Sequence, residues 1–245
     1  MLIIALPAYN EAETLPLLLA AIRQSMQESG IDYRVIVVND GSTDGTAEAV
    51  LSLAGEMPVT LVEHSENLGL GDAIRTGLIA ALEGADPRDI IVTMDSDNTH
   101  TPGLIARMVR GIREGNDVVI ASRYRPGANI QGVPYHRRFL SFGARIVFGL
   151  IFPTRNVRDF TCGFRAYRAG VLSRAFEIYG PQFVAQSGFS CMVDILLKLR
   201  RMGAIMTEVP LILRYDQKFG ASKMMVLRTV GETLALIFSR KFGSG

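Results

Sequence analysis

Unbroken aliphatic runs alternate along the chain with stretches whose apolar residues return every third or fourth position. The runs are Leu2-Ile3-Ile4-Ala5-Leu6, Val35-Ile36-Val37-Val38, residues 59–62, Ile90-Ile91-Val92-Thr93-Met94 and Val118-Val119-Ile120-Ala121. Short β-branched segments of this kind predict strands buried on both faces. Between them, Leu15, Leu18, Leu19, Ile22 and Met26 share one helical face. So do Ala47, Val50, Leu51 and Ala54, then Ile74, Leu78, Ala81 and Leu82, then Leu104, Ile105, Met108, Val109 and Ile112. Asn10 and Glu13 have capping-box spacing ahead of the first helix. Strands alternating with helices in this way predict an α/β fold, a mostly parallel sheet with helices on both faces.

The pattern changes near Arg125. Pro126, Gly127, Gly132 and Pro134 predict a loop, and Phe139, Phe142, Ile146, Val147 and Leu150 form an apolar helical stripe beside Arg137, Arg138 and Arg145. Residues 159–165 read as a tight turn, across which Asp159 and Arg165 are expected to form an ion pair. A helix holds Asp194, Ile195, Leu196 and Leu199, and a strand follows through Glu208-Val209-Pro210-Leu211, which Pro210 confines to an edge or a bulge. The last stripe, Val226, Leu227, Val230, Leu234, Ile237 and Phe238, makes residues 224–245 a C-terminal amphipathic helix.

With 48% hydrophobic and 20% charged residues in 245, the chain suits one globular domain and not a disordered segment. Its opening run reads as a first strand, not a secretory leader, and no run approaches the roughly 18 apolar residues of a membrane span. Cys162 and Cys191 lack paired spacing, which argues against a disulfide framework or zinc site and for a reducing cytosol. A net charge of +2 predicts no polyanion partner by itself, but between Arg123 and Arg174 ten arginines face one acid, Asp159. Arginine reads phosphate bidentately. No nucleic-acid module accompanies the basic segment, so nucleic acid is not an expected partner.

Asp95-Ser96-Asp97 directly follows the fourth run, and ligands of open α/β sheets bind beyond the carboxyl ends of the strands. Two neighbouring carboxylates stay ionised beside a hard divalent cation such as Mg²⁺ or Mn²⁺; the other reading is that Asp97 or Asn98 caps the helix after Pro102. Gly69-Leu70-Gly71 lacks the third glycine and the position of a dinucleotide-binding turn, and the chain has no phosphate-loop lysine motif. Ser42 has no neighbouring histidine to activate it. His64, His100 and His136 form no triad; His100 is expected to orient the acid loop, and His64 and His136 to lie on the surface or in loops.

Pro7-Ala8-Tyr9-Asn10-Glu11, the loop from Asn39 to Thr46, and Asp95-Ser96-Asp97 together resemble the family-2 glycosyltransferases of the GT-A fold. Residues 159–165, Glu208-Val209-Pro210 and Gly220-Ala221-Ser222-Lys223 resemble the branch that includes dolichol-phosphate mannose synthase and bacterial polyprenyl-phosphate glycosyltransferases. The resemblance implies that Pro7, Tyr9, Glu11, Val38 and Asp40 enclose the nucleoside of a sugar nucleotide, while Asp95, Ser96 and Asp97 meet its ribose, diphosphate and metal, with Asp95 and Asp97 as metal ligands. Strand-end packing is the other role for Pro7 and Val38, and a turn position the other role for Asp40. Arg123, Arg137 and Ser141 match positions that grip a lipid monophosphate, with solvated surface charge the alternative for Arg137 and Arg138. Lys223 matches a donor-phosphate lysine, or is a surface residue at a helix start. Thr99 stands where relatives carry glutamine, Asp194 replaces a glutamate, and Gln217 aligns with an arginine that Arg214 or Lys218 could replace.

The resemblance divides the chain into a nucleotide-sugar-binding half at 1–124 and an acceptor-binding half of the same domain at 125–223, ahead of the C-terminal helix. It implies an inverting, metal-dependent transfer of a hexose, with Asp95, Asp97 and Arg123 carrying the chemistry, from a nucleotide diphosphate sugar to a polyprenyl phosphate. The apolar helices near 139–152 and 224–238 suit the membrane surface on its cytoplasmic face. Rival readings are a soluble saccharide or protein acceptor, and a non-catalytic nucleotide-sugar-binding protein.

Overall fold

In the computed structural model, which describes residues 1–132, 143, 154, 156–186, 188 and 190–215, the aliphatic runs form five strands. These are β1 (Leu2–Ala8), β2 (Tyr33–Asp40), β3 (Val59–His64), β4 (Ile90–Thr93) and β5 (Val118–Ser122). Four helices join them: α1 (Leu15–Ser29), α2 (Thr46–Leu51), α3 (Leu70–Leu82) and α4 (Leu104–Arg113). The buried residues of α1 are Leu15, Leu18, Leu19, Ile22 and Met26, the same five that periodicity selects. On α2 the stripe holds only in part: Val50 is buried but Leu51 is exposed, because the helix has a single covered edge over its six residues.

The capping box at Asn10 does not form. Helix α1 begins after Thr14, with Pro16 in its first turn. Asn10 instead adopts a left-handed φ of 53° and its side-chain oxygen accepts the Thr43 N–H at 2.8 Å, so it bridges two loops. Asparagine tolerates that backbone region better than most residues.

With β7 (Arg165–Arg168) and β8 (Met206–Pro210), seven strands form one sheet in the order β3-β2-β1-β4-β7-β5-β8. Strand β1 pairs in parallel with β2 on one side and β4 on the other, so the chain reverses its direction of travel across the sheet between β1 and β4. That reversal opens a crevice at the carboxyl ends of the two strands. Strand β7 (Arg165–Arg168) is inserted antiparallel between β4 and β5. Hydrophobic patterning passes over it because its four residues, Arg-Ala-Tyr-Arg, contain no aliphatic run. Strand β8 (Met206–Pro210) lies at the sheet edge beside β5, where Pro210 removes no ladder bond that a further strand needs. A second, two-stranded parallel sheet pairs β6 (Asn129–Gln131) with β9 (Ile212–Arg214).

The sheet core is aliphatic: Ile3, Ile4, Leu6, Val35, Val37, Val38, Ile91, Val92, Val118, Val119 and Ile120 are essentially inaccessible. Full burial of each such side chain is worth about 1.5–3 kcal/mol. Helix α3 presses closely on this layer, since a Cβ at Gly77 would lie 3.3 Å from Val38 Cγ2 and 3.4 Å from Ala5 Cβ. After β7 come α5 (Ala169–Tyr179), a 3₁₀ turn at Gly180–Val184, and α6 (Ser190–Arg201). No helix among the described residues is long and apolar enough to cross a membrane. The expected helices near 139–152 and 224–238 lie outside the described residues.

Helix α6 fastens the 3₁₀ turn through a buried ion pair. Lys198 Nζ meets the Asp194 carboxylate one helical turn away and donates to the carbonyls of Gln182 and Phe183, the latter at 3.2 Å. Removing one member of a buried pair strands the other charge in a medium that solvates it poorly. Lys198→Met is therefore expected to destabilise the chain by about 3–5 kcal/mol in urea denaturation. Adding Asp194→Leu recovers most of that loss; equal stability of the single variant and the parent would show that the pair contributes nothing.

Candidate active site

The acid loop occupies the crevice between β1 and β4. Ser96 is buried and its hydroxyl donates to the Pro7 carbonyl at 2.8 Å, tying the end of β1 to the residues that follow β4. Asp97 Oδ1 accepts the Thr99 N–H at 3.2 Å and the Thr99 hydroxyl at 2.7 Å, an Asx turn that carries Asn98 through a φ of 57°. Neither residue caps the next helix, since α4 starts after Gly103 without a side-chain cap. Thr99 thus serves to orient Asp97.

Asp95 rests against Gly163. A Cβ at that glycine would lie 2.9 Å from Asp95 Oδ1, so any side chain would occupy the space the carboxylate now uses. Thr93 Oγ1 donates to the Gly163 carbonyl at 2.8 Å, fixing this turn to the end of β4. The His100 ring is buried and packs on Phe164 with centroids 5.1 Å apart, and its Nδ1 has no hydrogen-bond partner among the described residues. His100 also bridges to Leu213, and the Arg214 N–H donates to the Thr99 carbonyl at 2.9 Å, so β9 covers the acid loop.

Asp95 and Asp97 fit a hard divalent cation: they are oxygen donors on one short loop, and the glycine at 163 lets the Asp95 carboxylate keep the place a side chain would take. No group of three or more His, Cys, Asp or Glu that could hold a metal occurs among the described residues. Ligand oxygens or water would have to complete the coordination of an ion held there.

The loops after β1 and β2 are stitched together. Asn10 N–H donates to Ser42 Oγ at 2.9 Å, Glu11 N–H to Thr46 Oγ1 at 2.9 Å, and Ala12 N–H to Asp44 Oδ2 at 3.2 Å. Burial pushes the Asp44 carboxyl up, but hydrogen bonds from Thr46 and Ala12 outweigh it and hold the group below the usual carboxylate range. Glu11 Oε2 accepts the Thr14 hydroxyl at 2.5 Å. Pro7, Tyr9 and Glu11 are half-buried along this edge.

Asp40 is buried and gathers the loop before α3. Its Oδ1 accepts the Leu68 N–H at 3.0 Å and its Oδ2 the Gly69 N–H at 2.9 Å. His64 was expected on the surface or in a loop; instead it ends β3, half-buried, with Nδ1 2.7 Å from Asp40 Oδ1 and Nε2 2.9 Å from Thr76 Oγ1. The polar partners come from β2 and α3, which strand periodicity in β3 cannot reveal. Val38 is fully buried against α3, so its side chain serves packing.

Arg123, at the end of β5, holds the partner expected of Arg165. Its Nε donates to Asp159 Oδ2 at 2.8 Å, its Nη2 to Asp159 Oδ1 at 2.7 Å and to Thr161 Oγ1 at 2.6 Å. Arg165 is fully buried and donates to the carbonyls of Met192 and Phe160, at 2.7 and 2.8 Å, because β7 points it into the core and away from Asp159. Glu208 Oε1 accepts the N–H groups of Arg158 and Asp159, at 2.6 and 2.7 Å. Burial raises the Asp159 carboxyl, yet the Arg123 guanidinium outweighs it and holds the group low; burial raises Glu208, which has no such cation. Cys162 and Cys191 are each pushed up to about 12 by burial, so neither supplies a thiolate nucleophile. Arg137, Arg138, Ser141, His136, Gln217, Lys218 and Lys223 lie outside the described residues.

A strand-end acid pair at a sheet reversal, ringed by loops from β1 and β2, is the arrangement the three sequence motifs imply. The family model of Glycosyl transferase family 2 matches residues 3–176. The chain belongs to this family. It is a glycosyltransferase, and the non-catalytic reading is set aside. Undecaprenyl-phosphate mannosyltransferase of Micrococcus luteus is 35% identical over 224 residues, which cover 89% of this chain and 85% of that protein. Polyprenol monophosphomannose synthase of Mycolicibacterium smegmatis is 30% identical, covering 91% and 80% of the two chains. Dolichol-phosphate mannosyltransferase of Pyrococcus furiosus is 32% identical over 80% of this chain, which spans 52% of that protein. Among solved structures, glucosyl-3-phosphoglycerate synthase of Mycobacterium tuberculosis superposes with a TM-score of 0.71 at 20% identity, covering 98% of this chain and 79% of that one. That likeness establishes the fold.

Within this glycosyltransferase, sequence reasoning missed His64, Thr161 and the role of Glu208. The one available signal was Glu208 itself, an acid within the edge-strand sequence Met206-Thr207-Glu208-Val209.

Gly163→Ala is expected to fold normally and to lower kcat by about 10-fold or more, since small displacements of reacting groups are costly. Transfer assays titrated with Mn²⁺ check it, and an unchanged rate would remove the glycine from the site. Glu208 gives a second test. Its folded value lies above the ordinary 4.5, so its stabilising contribution is complete below about pH 4.5 and is lost as pH rises through the folded value. Thermal melts from pH 4.5 to 7.5 should show Glu208→Gln losing less stability on alkalinisation than the parent; parallel curves would contradict the assignment.

Proposed function

We propose that the enzyme transfers a hexose, with inversion, from a nucleotide diphosphate sugar to a polyprenyl phosphate at the cytoplasmic face of the membrane. The observation that carries this reading is the pair Asp95 and Asp97 at the β1/β4 reversal, in a chain whose relatives over most of its length are named for mannosyl transfer to undecaprenyl or polyprenol phosphate. Mannose is the sugar those names favour.

In this reading Pro7, Tyr9 and Glu11 line the nucleoside, and Asp40 shapes the pocket by holding the loop at Leu68 and Gly69. Asp95 and Asp97 would hold Mg²⁺ or Mn²⁺, which when bound supplies Lewis-acid stabilisation of the departing diphosphate. Ser96 keeps that loop at a fixed distance from the β1 end. Lys223 adds a cation at the donor phosphates. Arg123, Arg137 and Ser141 orient the acceptor phosphate.

An oxygen of that phosphate forms a bond to the anomeric carbon as the bond from that carbon to the diphosphate oxygen breaks, and the electron pair leaves with the nucleoside diphosphate. One displacement inverts the anomeric centre. A phosphate monoester is already ionised at neutral pH, so its attack requires no protein base. Asp194, engaged with Lys198, is consistent with that economy.

Incubation with radiolabelled GDP-mannose, a polyprenyl phosphate and Mn²⁺ should move label into an organic-extractable lipid. Asp97→Ala should lower that rate about 100-fold or more. Normal turnover by the variant would defeat the metal assignment, and label appearing only on a soluble saccharide or protein would defeat the lipid acceptor.

A further inference from the structure

Arg123 is held more tightly than a phosphate-gripping arginine on a strand-end loop needs to be for charge alone. Its Nε and Nη2 are spent on both oxygens of Asp159 and on Thr161, and its backbone N–H also donates to Asp159 Oδ2 at 3.0 Å. Tyr124 lies under the guanidinium, 5.7 Å from ring centroid to Cζ. Nη1 is the one guanidinium nitrogen with no hydrogen-bond partner among the described residues, and 22% of the side chain remains exposed. Asp159 is itself fully buried, and its N–H and that of Arg158 are clamped by Glu208 from the neighbouring edge strand.

Resting on the acceptor reading above, we propose that Asp159 is the positioning residue for the acceptor site: it consumes one edge of the Arg123 guanidinium and leaves the two N–H groups of Nη1 as the pre-set contact for the acceptor's phosphate. A planar guanidinium fixed along one edge cannot rotate, so the remaining donors point in one direction before the ligand arrives. Pre-setting a long side chain removes an ordering cost that binding would otherwise carry. The geometry also limits Arg123 to contact through a single nitrogen, so a second cation or hydroxyl must meet the other phosphate oxygens. Thr161 completes the hold by accepting a further hydrogen bond from Nη2, and Glu208 acts one step further back through the 158–159 backbone.

The test uses the full chain with farnesyl phosphate as the acceptor probe. Asp159→Asn is expected to raise the acceptor Kd by calorimetry and the acceptor KM by about 10-fold or more, with donor KM changed by less than about twofold. Thr161→Val, at a half-buried position, should raise acceptor KM by about threefold with the fold intact, and serves if the first variant fails to fold. A shift of donor and acceptor KM together, or of neither in both variants, would overturn the positioning role. Failure of the unmodified enzyme to bind or glycosylate farnesyl phosphate is a different result. It removes the acceptor reading, and this proposal with it.

Discussion

Two carboxylates held on one short loop repel each other, and the residues around Asp95 and Asp97 are arranged about that repulsion. Thr99 gives Asp97 two hydrogen bonds, Gly163 provides the space that Asp95 occupies, and Ser96 spends its hydroxyl on Pro7 so that the loop cannot swing away from β1. These neutral donors orient the acids, and in the proposed reading a bound divalent cation would lower their mutual repulsion.

On the other side of the crevice the electrostatics are solved within the protein. Arg123 and Asp159 neutralise each other, and Glu208, raised by burial, accepts the Arg158 and Asp159 N–H groups. The crevice thus joins the acid loop to a guanidinium whose orientation is already fixed.

The parallel half of the sheet and the acid loop were legible because aliphatic runs and helical stripes are dictated by burial, and burial is one-dimensional information. Every residue of the α4 stripe, for example, is buried as expected. What escaped was decided by residues distant in the chain. His64 is held against the fold by Asp40 and Thr76, 24 and 12 residues away. Arg123 takes Asp159 across 36 residues, although Arg165 stands only six positions along. Strand β7 was missed because a strand with arginine at both ends looks polar until its neighbours bury it.

The direction of β7 decides which face of the sheet its preceding turn can reach. Parallel strands send their exits to the ligand side and their entrances to the far side. A strand laid in backwards, with Arg165 opposite Thr93 and Ile120, delivers its entrance to the ligand side instead. Residues 159–164 therefore arrive beside Asp95 and Arg123 at once, bringing Gly163 to one and Asp159 to the other. By inverting a single strand, the fold brings one more turn to the carboxyl edge of the sheet, and that turn joins the surroundings of Asp95 to those of Arg123 through a continuous stretch of backbone.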